Sequence, residues 1–259
     1  GKLEPGTYTL RGDVSSQFVT GLLFGLSLLD RASVLLIEGE AVSRPYIDMT
    51  VRGMQCFGVC IRRDGDKTFR IPGENRYLPA GELRIEGDYS NTAFIEALNV
   101  AGGQVRISGL SEESLQGDRV FYRDFELLKK GFCEISLSDT PDLGPVLFIL
   151  SAFLHGARFT GTRRLRFKES DRLKSMKEEL LKAGITCVEE EDSFTVCPGT
   201  LKQPEVPLDS HQDHRVAMAL TVLLTVTGGE MDHAEAVTKS WPGFYAALEA
   251  LGIRISCGE

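Results

Sequence analysis

The stretch Gly12-Asp13-Val14-Ser15-Ser16-Gln17-Phe18 leads straight into an apolar run over residues 19–29, and the same device returns along the chain. Gly87-Asp88-Tyr89-Ser90-Asn91-Thr92-Ala93-Phe94 leads into 95–101, Ser138-Asp139-Thr140-Pro141-Asp142 into 143–154, and Gln212-Asp213-His214-Arg215 into 216–226. An Asp or Ser just before an apolar run is a helix-start signal, because its oxygen accepts from the free N–H groups of the first turn. Helices this apolar are expected to be buried nearly all round.

Working outward, each of these helices is followed by a turn and a short strand pattern, at 33–38, 104–108, 157–160 and, more weakly, 230–236. A second helix pattern follows at 44–57, 117–130, 170–183 and 240–251, and then strands at 58–63 with 68–71 and at 186–189 with 193–197. The repeating unit is therefore helix, strand, helix, strands, which predicts an α/β (α+β) protein whose sheets are covered by helices. Residues 72–81 are rich in proline and glycine and make the best domain boundary. This places one unit in residues 1–81 and three in residues 82–259.

The 259 residues are 42% apolar and 25% charged, an ordinary globular composition for one large or two smaller domains. With 29 basic and 37 acidic residues the net charge is −8, which argues against nucleic-acid binding by bulk electrostatics. An anion must be held locally, and residues 163–174 supply six cations (Arg163, Arg164, Arg166, Lys168, Arg172, Lys174) against two acids. Within them, Arg166-Phe167-Lys168-Glu169-Ser170-Asp171-Arg172 precedes Leu173, Met176, Leu180 and Leu181 at helical spacing, with Gly184 as the stop and Ser170 as the expected N-cap. Arg172 then falls in the first turn, where the helix dipole disfavours a cation, so an anion is expected beside it. The alternative is a solvated basic face paired with its own Glu169 and Asp171.

Arg215 has the same first-turn placement, and Lys239 precedes Ser240-Trp241-Pro242, where Ser caps and Pro opens a helix. Ser15, Ser16 and Gln17 begin the first helix, where they suit a phosphate ester; simple capping by Asp13 or Ser15 is the competing account. Glu169 and Asp142 stand beside the cations, which would hold them ionised for proton transfer, although Asp142 could equally cap the helix after it. No P-loop, dinucleotide-binding, nucleophile-elbow or zinc motif is present.

Cys56, Cys60, Cys133, Cys187, Cys197 and Cys257 form no C-x-x-C pair and read as buried or incidental thiols of a reducing compartment. His211 and His214 stand three apart without a further ligand type at metal spacing, so no metal is expected. The longest apolar run is too short to span a bilayer and no leader is visible, which predicts a cytoplasmic protein without membrane or nucleic-acid partners. Gly1 is not an initiator Met, and 6–10 reads as a strand already in progress, as in a processed, truncated or subcloned product.

Six motifs together resemble one family. Gly12 to Phe18, Ser43-Arg44-Pro45-Tyr46-Ile47-Asp48, Thr140-Pro141-Asp142, Arg166 to Arg172, Asp213-His214-Arg215-Val216-Ala217-Met218 and Lys239-Ser240-Trp241-Pro242-Gly243-Phe244 are similar, in order, to those of the enolpyruvyl transferases of the 5-enolpyruvylshikimate-3-phosphate synthase type. The resemblance implies an inside-out α/β barrel of two domains, each with three β-α-β-α-β-β units. Four units are legible here, so the chain is expected to be the C-terminal two thirds of such an enzyme, weakly active or inactive alone. The implied reaction transfers the enolpyruvyl group of phosphoenolpyruvate to the 5-hydroxyl of shikimate 3-phosphate with release of phosphate, in aromatic amino acid biosynthesis. It needs no cofactor or metal. Carried over by motif, Ser15, Ser16, Gln17, Ser43, Tyr46, Asp142 and Lys168 would hold shikimate 3-phosphate, and Arg172, His214, Arg215 and Lys239 phosphoenolpyruvate. Asp142, Glu169 and Lys239 would be catalytic, the first two as the proton-transfer pair. The alternatives are a UDP-N-acetylglucosamine-type transferase or a non-catalytic fragment that binds shikimate 3-phosphate. The family enzyme is expected to be a monomer, while this chain is expected to expose apolar surface before about residue 81 and to self-associate.

Overall fold

The computed structural model describes residues 1–256 and 258; Cys257 lies outside the described residues. The chain divides into two units, one of Gly1–Glu86 with Ser111–Gly117, the other of Gly87–Leu110 with Asp118–Glu259.

The first unit runs β1 (Thr7–Arg11), α1 (Ser16–Leu26), β2 (Ser33–Glu38), α2 (Arg44–Cys56), β3 (Arg62–Asp64) and β4 (Thr68–Ile71). β1 pairs parallel with β2, with Thr7 opposite Val34, and β4 is antiparallel to both β2 and β3, so the sheet order is β1-β2-β4-β3. The period-2 alternation puts Leu35 and Ile37 of β2 and Phe69 and Ile71 of β4 into one core with Val19, Leu23 and Leu26 of α1 and Ile47, Val51 and Met54 of α2. Each such side chain contributes about 1.5–3 kcal/mol by leaving water. Gly12 is required by close approach: a Cβ there would meet Ile37 Cγ2 at 2.6 Å and the Glu40 carbonyl at 2.7 Å. Its N–H donates to Glu38 O and its carbonyl accepts from Val42 N, which sets the turns before α1 and α2 side by side. α1 departs from the expected all-round burial. Phe18 and Phe24 are exposed, as is Leu28 just after the helix, because this unit offers α1 only one sheet and one neighbouring helix.

The second unit contains α3 (Tyr89–Val100), α4 (Phe121–Lys130), β5 (Cys133–Ser136), α5 (Gly144–Phe153), β6 (Ala157–Thr160), α6 (Arg172–Lys182), β7 (Cys187–Glu189), β8 (Ser193–Val196), β9 (Leu208–Asp209), α7 (His214–Thr227), β10 (Met231–Asp232) and α8 (Phe244–Ala250). Its larger sheet repeats the first unit's topology strand for strand: β5 is parallel to β6, β8 is antiparallel to β6 and β7, and the order is β5-β6-β8-β7. Two of the four repeats expected from the sequence are thus full topological repeats. The short pair β9 and β10 is parallel across α7, a reduced version of the same crossover. The three apolar helices α3, α5 and α7 pack pairwise against one another; Gly144 to Ala152 of α5 are buried without exception, as the apolar run predicts. The sheets are open, and none among the described residues closes into a barrel.

Some expected elements differ. The 104–108 strand does not form; the Asn99 side chain takes both polar groups of Val105, accepting from its N–H at 2.6 Å and donating to its carbonyl at 2.9 Å, so no strand partner receives them. The 240–251 helix starts only at Phe244, because Val237 O accepts from Ser240 N and Trp241 N and holds that stretch in turns. Among the described cysteines all are free; only Cys187 is buried, its thiol pushed up to about 12 by burial and therefore inert, while Cys56 and Cys60 are exposed. No helix among the described residues is long and apolar enough to cross a membrane.

Candidate active site

Arg172 opens α6 and is 1% exposed, an extreme position for a guanidinium. Three carboxylates surround it. Its Nε donates to Asp213 Oδ2 at 2.7 Å, Nη1 to Asp142 Oδ1 at 2.8 Å, and Nη2 to Glu169 Oε2 at 3.0 Å and to Asp213 Oδ1 at 3.3 Å. The helix is capped by Asp171, which accepts from Lys174 N, and not by Ser170 as expected. A carboxylate answers the positive end of the dipole better than a hydroxyl does, and Ser170 Oγ is free to donate to Asp213 at 3.3 Å instead.

Asp142 lies in a 3-10 turn, Pro141–Leu143, ahead of α5, and it caps neither element. Its carboxylate faces cations: besides Arg172, Lys168 Nζ is 3.3 Å from Oδ1 and Arg215 Nη2 is 3.5 Å from Oδ2. Glu169 Oε1 takes Lys239 Nζ at 2.6 Å. Lys239 closes a 3-10 turn, Ala234–Lys239, so its expected place immediately ahead of an α-helix is not found, yet it reaches the same cluster. Asp213 is fully buried and caps α7 by accepting from Arg215 N at 2.9 Å. Arg215 Nη1 donates to Ser90 Oγ, at the start of α3, at 2.5 Å.

Residues from four separated parts of the chain, Asp142, Lys168 to Arg172, Asp213 to Arg215 and Lys239, thus form one cluster of four cations and three carboxylates. The basic segment splits in two: Lys168 and Arg172 enter the cluster, whereas Arg166 pairs with Glu189, the Glu190 carbonyl and Asp171, as a solvated face would. In the first unit, Ser15 Oγ is the N-cap of α1, accepting from Gln17 N at 3.2 Å; Ser16 is buried and Gln17 exposed. Ser43 is buried with φ 53° and its side chain does not cap α2, while Tyr46 is half-buried in the first turn.

Burial would raise the carboxylates, and the cations more than offset it. Asp142 is held well below the ordinary range by Arg215, Lys168 and Arg172; Asp213 is lowered by Arg172 and the Arg215 N–H; Glu169 is lowered by Lys239 and Arg172. All three are ionised at neutral pH. His214 behaves oppositely. Burial first, then Arg215, lowers it from 6.5 against the pull of Asp213 and Glu169, and its Nδ1 is buried without a hydrogen-bond partner. It is neutral at pH 7. Below pH 6.5 the unfolded chain takes up a proton that folded His214 refuses, so its contribution to stability is present above that value and is lost as pH falls toward the folded pKa. Exposed His233, raised by Asp209, works with the opposite sign. The melting temperature of His214→Asn is therefore expected to fall less than that of the wild type between pH 7 and 5.5; parallel slopes in a calorimetric pH series would refute this.

Sequence pattern marks Asp213 as a helix opener and gives no local signal that Ser90 or Ser170 belongs to a site. Asp213 and Arg172 meet across 41 residues, and Ser90 and Arg215 across 125, distances that local pattern does not bridge. The fold also brings Glu169 and Asp213 beside His214, and Glu178 and Glu179 beside His211, with ligand-type atoms of each set within 4.8 Å. Arg172 already neutralises the first set and Lys182 holds Glu179 in the second, which disfavours a metal at either.

Residues 2–248 match the family model described as EPSP synthase (3-phosphoshikimate 1-carboxyvinyltransferase). The chain belongs to the EPSP synthase family. Among curated relatives, the 3-phosphoshikimate 1-carboxyvinyltransferase of Clostridium kluyveri is 38% identical over 97% of this chain, and that of Clostridium novyi 35%. The chain spans 63% of the length of the first and 62% of the second. Solved structures share the fold: an EPSP synthase from Acinetobacter baumannii superposes with a TM-score of 0.66 at 20% identity, covering 97% of this chain and 64% of that one. The enolpyruvyl transferase NikO from Streptomyces tendae gives 0.70 at 15%, covering 98% and 65%. The family assignment agrees with the six motifs, and the names of the relatives favour the shikimate type over the UDP-N-acetylglucosamine type.

Proposed function

We propose that this chain carries the phosphoenolpyruvate-facing cluster and part of the shikimate 3-phosphate site of a carboxyvinyltransferase. The reaction adds the 5-hydroxyl oxygen of shikimate 3-phosphate to C2 of phosphoenolpyruvate while C3 gains a proton and the hydroxyl loses one. Phosphate then leaves C2 and C3 returns a proton, so protons balance. The supporting observation is the cluster itself, in which buried Asp213, half-buried Asp142 and Glu169 at the surface alternate with cations at ion-pair distance. Arg172, Arg215 and Lys239 hold the phosphoenolpyruvate anion, with neutral His214 lining the pocket. In the second unit Lys168 and Asp142 contact shikimate 3-phosphate; in the first unit, taken by itself, Ser15, Ser16, Gln17, Ser43 and Tyr46 are the residues suited to it. Left-handed backbone at buried Ser43 is the kind of strain that accompanies a binding role.

Glu169 and Asp142 are the proton-transfer pair. At rest their cations make both weak bases; an arriving anion draws those cations to itself and raises both carboxylates toward the range where they exchange protons. Lys239, on Glu169 and 57% exposed as a side chain, is the cation best able to move onto the ligand. Residues 1–81 would form one domain and 82–259 the other. NMR titration of the chain with phosphoenolpyruvate and with shikimate 3-phosphate tests the assignment: the first ligand should shift resonances of Arg215, His214 and Lys239, the second those of Ser16, Gln17 and Ser43. The assignment is wrong if neither ligand shifts these groups. The exposed Phe18 and Phe24 of α1, with Leu28 just beyond it, should bind a hydrophobic dye and drive self-association at high concentration; a dye-silent monomer in light scattering would contradict that.

A further inference from the structure

We propose that Ser90 is a positioning residue of this site, holding the Arg215 guanidinium in place with a neutral acceptor so that its charge remains available to an anion. Ser90 is the second residue of α3 and 6% exposed. Its N–H donates to the Asp88 carboxylate at 2.8 Å, which fixes the backbone, and its Oγ receives Arg215 Nη1 at 2.5 Å. Arg215 is likewise fixed at its base, its N–H bound to Asp213 at 2.9 Å, and α3 packs against α7 in the core. Two rigid helix starts therefore clamp one side chain.

The two arginines of the cluster, Arg172 buried and Arg215 half-buried, are held in different ways. Arg172 is surrounded by three carboxylates that compensate its charge. Arg215 has one carboxylate oxygen, Asp142 Oδ2 at 3.5 Å, on a group shared with Lys168 and Arg172. Its other anchor is the Ser90 hydroxyl, which directs the fork without cancelling charge. A carboxylate there would orient Arg215 equally well and neutralise it; an apolar side chain would leave it charged and free to turn.

The orienting step stands on geometry alone, while its consequence for ligand binding rests on the reading of Arg215 as an anion-binding residue. The test compares the wild-type chain, Ser90→Ala, Ser90→Thr and Arg215→Ala by phosphoenolpyruvate titration and by the Arg215 Nε–H resonance. Ser90→Ala is expected to release the guanidinium to fast rotation and to weaken phosphoenolpyruvate about tenfold, the effect of one hydrogen bond to a charged group. Helix content should be unchanged because the Asp88 cap remains, and Ser90→Thr, which restores a hydroxyl, should recover most of the affinity. Wild-type affinity in Ser90→Ala, or weakened binding with an unaltered Arg215 resonance, overturns the proposal. Wild-type affinity in Arg215→Ala instead overturns the anion-binding reading, and the proposed consequence of Ser90 with it.

Discussion

Arg172→Met should destabilise the second unit by about 3–5 kcal/mol, the cost of leaving buried charges without their partner. The substitution preserves volume and helix propensity, so the loss reports electrostatics. Asp213 is fully buried, and its carboxylate accepts from both Nε and Nη2 of Arg172; Asp142 and Glu169 lose their contacts with the same group. Lys168, Arg215 and Lys239 remain to serve Asp142 and Glu169. Asp213 keeps only neutral donors, Ser170 Oγ and the Arg215 N–H. At this size such a loss corresponds to a fall in melting temperature of roughly 10 °C or more. Arg172→Lys should rescue little, because one ammonium cannot reproduce a planar fork that reaches three carboxylates. A variant that melts within about 2 °C of the wild type in calorimetry, well inside the range that one kcal/mol covers, would show that Arg172 does not hold the cluster together.

Glu169→Gln is expected to have a small effect on stability and a large one on turnover. The amide oxygen still accepts from Arg172 Nη2, and Lys239 is exposed enough to turn to water. What is lost is a group able to exchange a proton, which costs about 100- to 10,000-fold in kcat for an acid–base residue. The KM for phosphoenolpyruvate should change much less, because Arg172, Arg215 and Lys239, the cations proposed to hold the anion, remain. Steady-state kinetics in a turning-over assembly gives both numbers; a variant with unchanged kcat would remove Glu169 from the proton-transfer role.

Much of this was legible in the sequence, for identifiable reasons. Helix starts carry local chemistry: Asp88 and Asp213 do cap α3 and α7, and apolar runs such as that of α5 are buried as their composition requires. The β-α-β-α-β-β repeat appears twice with identical strand order, although β5, which opens the second copy, is not among the strand patterns of the sequence. The convergence of Asp142, Glu169, Arg172, Arg215 and Lys239 was anticipated from motifs, but not the manner of it. Arg172 answers carboxylates from its own fold, and Lys239 arrives from a 3-10 turn. Ser170, Ser240 and the 104–108 segment depart from their local pattern because competing partners, Asp171, Val237 O and the Asn99 amide, take the hydrogen bonds on which that pattern depends. The exposed face of α1 was also at odds with its composition, since burial is decided by what is available to pack against and not by the helix alone.

The central claim is that this cluster transfers an enolpyruvyl group, and phosphate release from phosphoenolpyruvate in the presence of shikimate 3-phosphate measures it most directly. The chain spans 63% of the length of its Clostridium kluyveri relative, so the assay is run on the chain alone and on the chain mixed with the part of that relative it does not match. The account predicts phosphate release that requires both substrates, appears or rises on mixing, and disappears in Glu169→Gln. Mixed protein that binds both ligands yet releases no phosphate, or release that persists undiminished in Glu169→Gln, would contradict it.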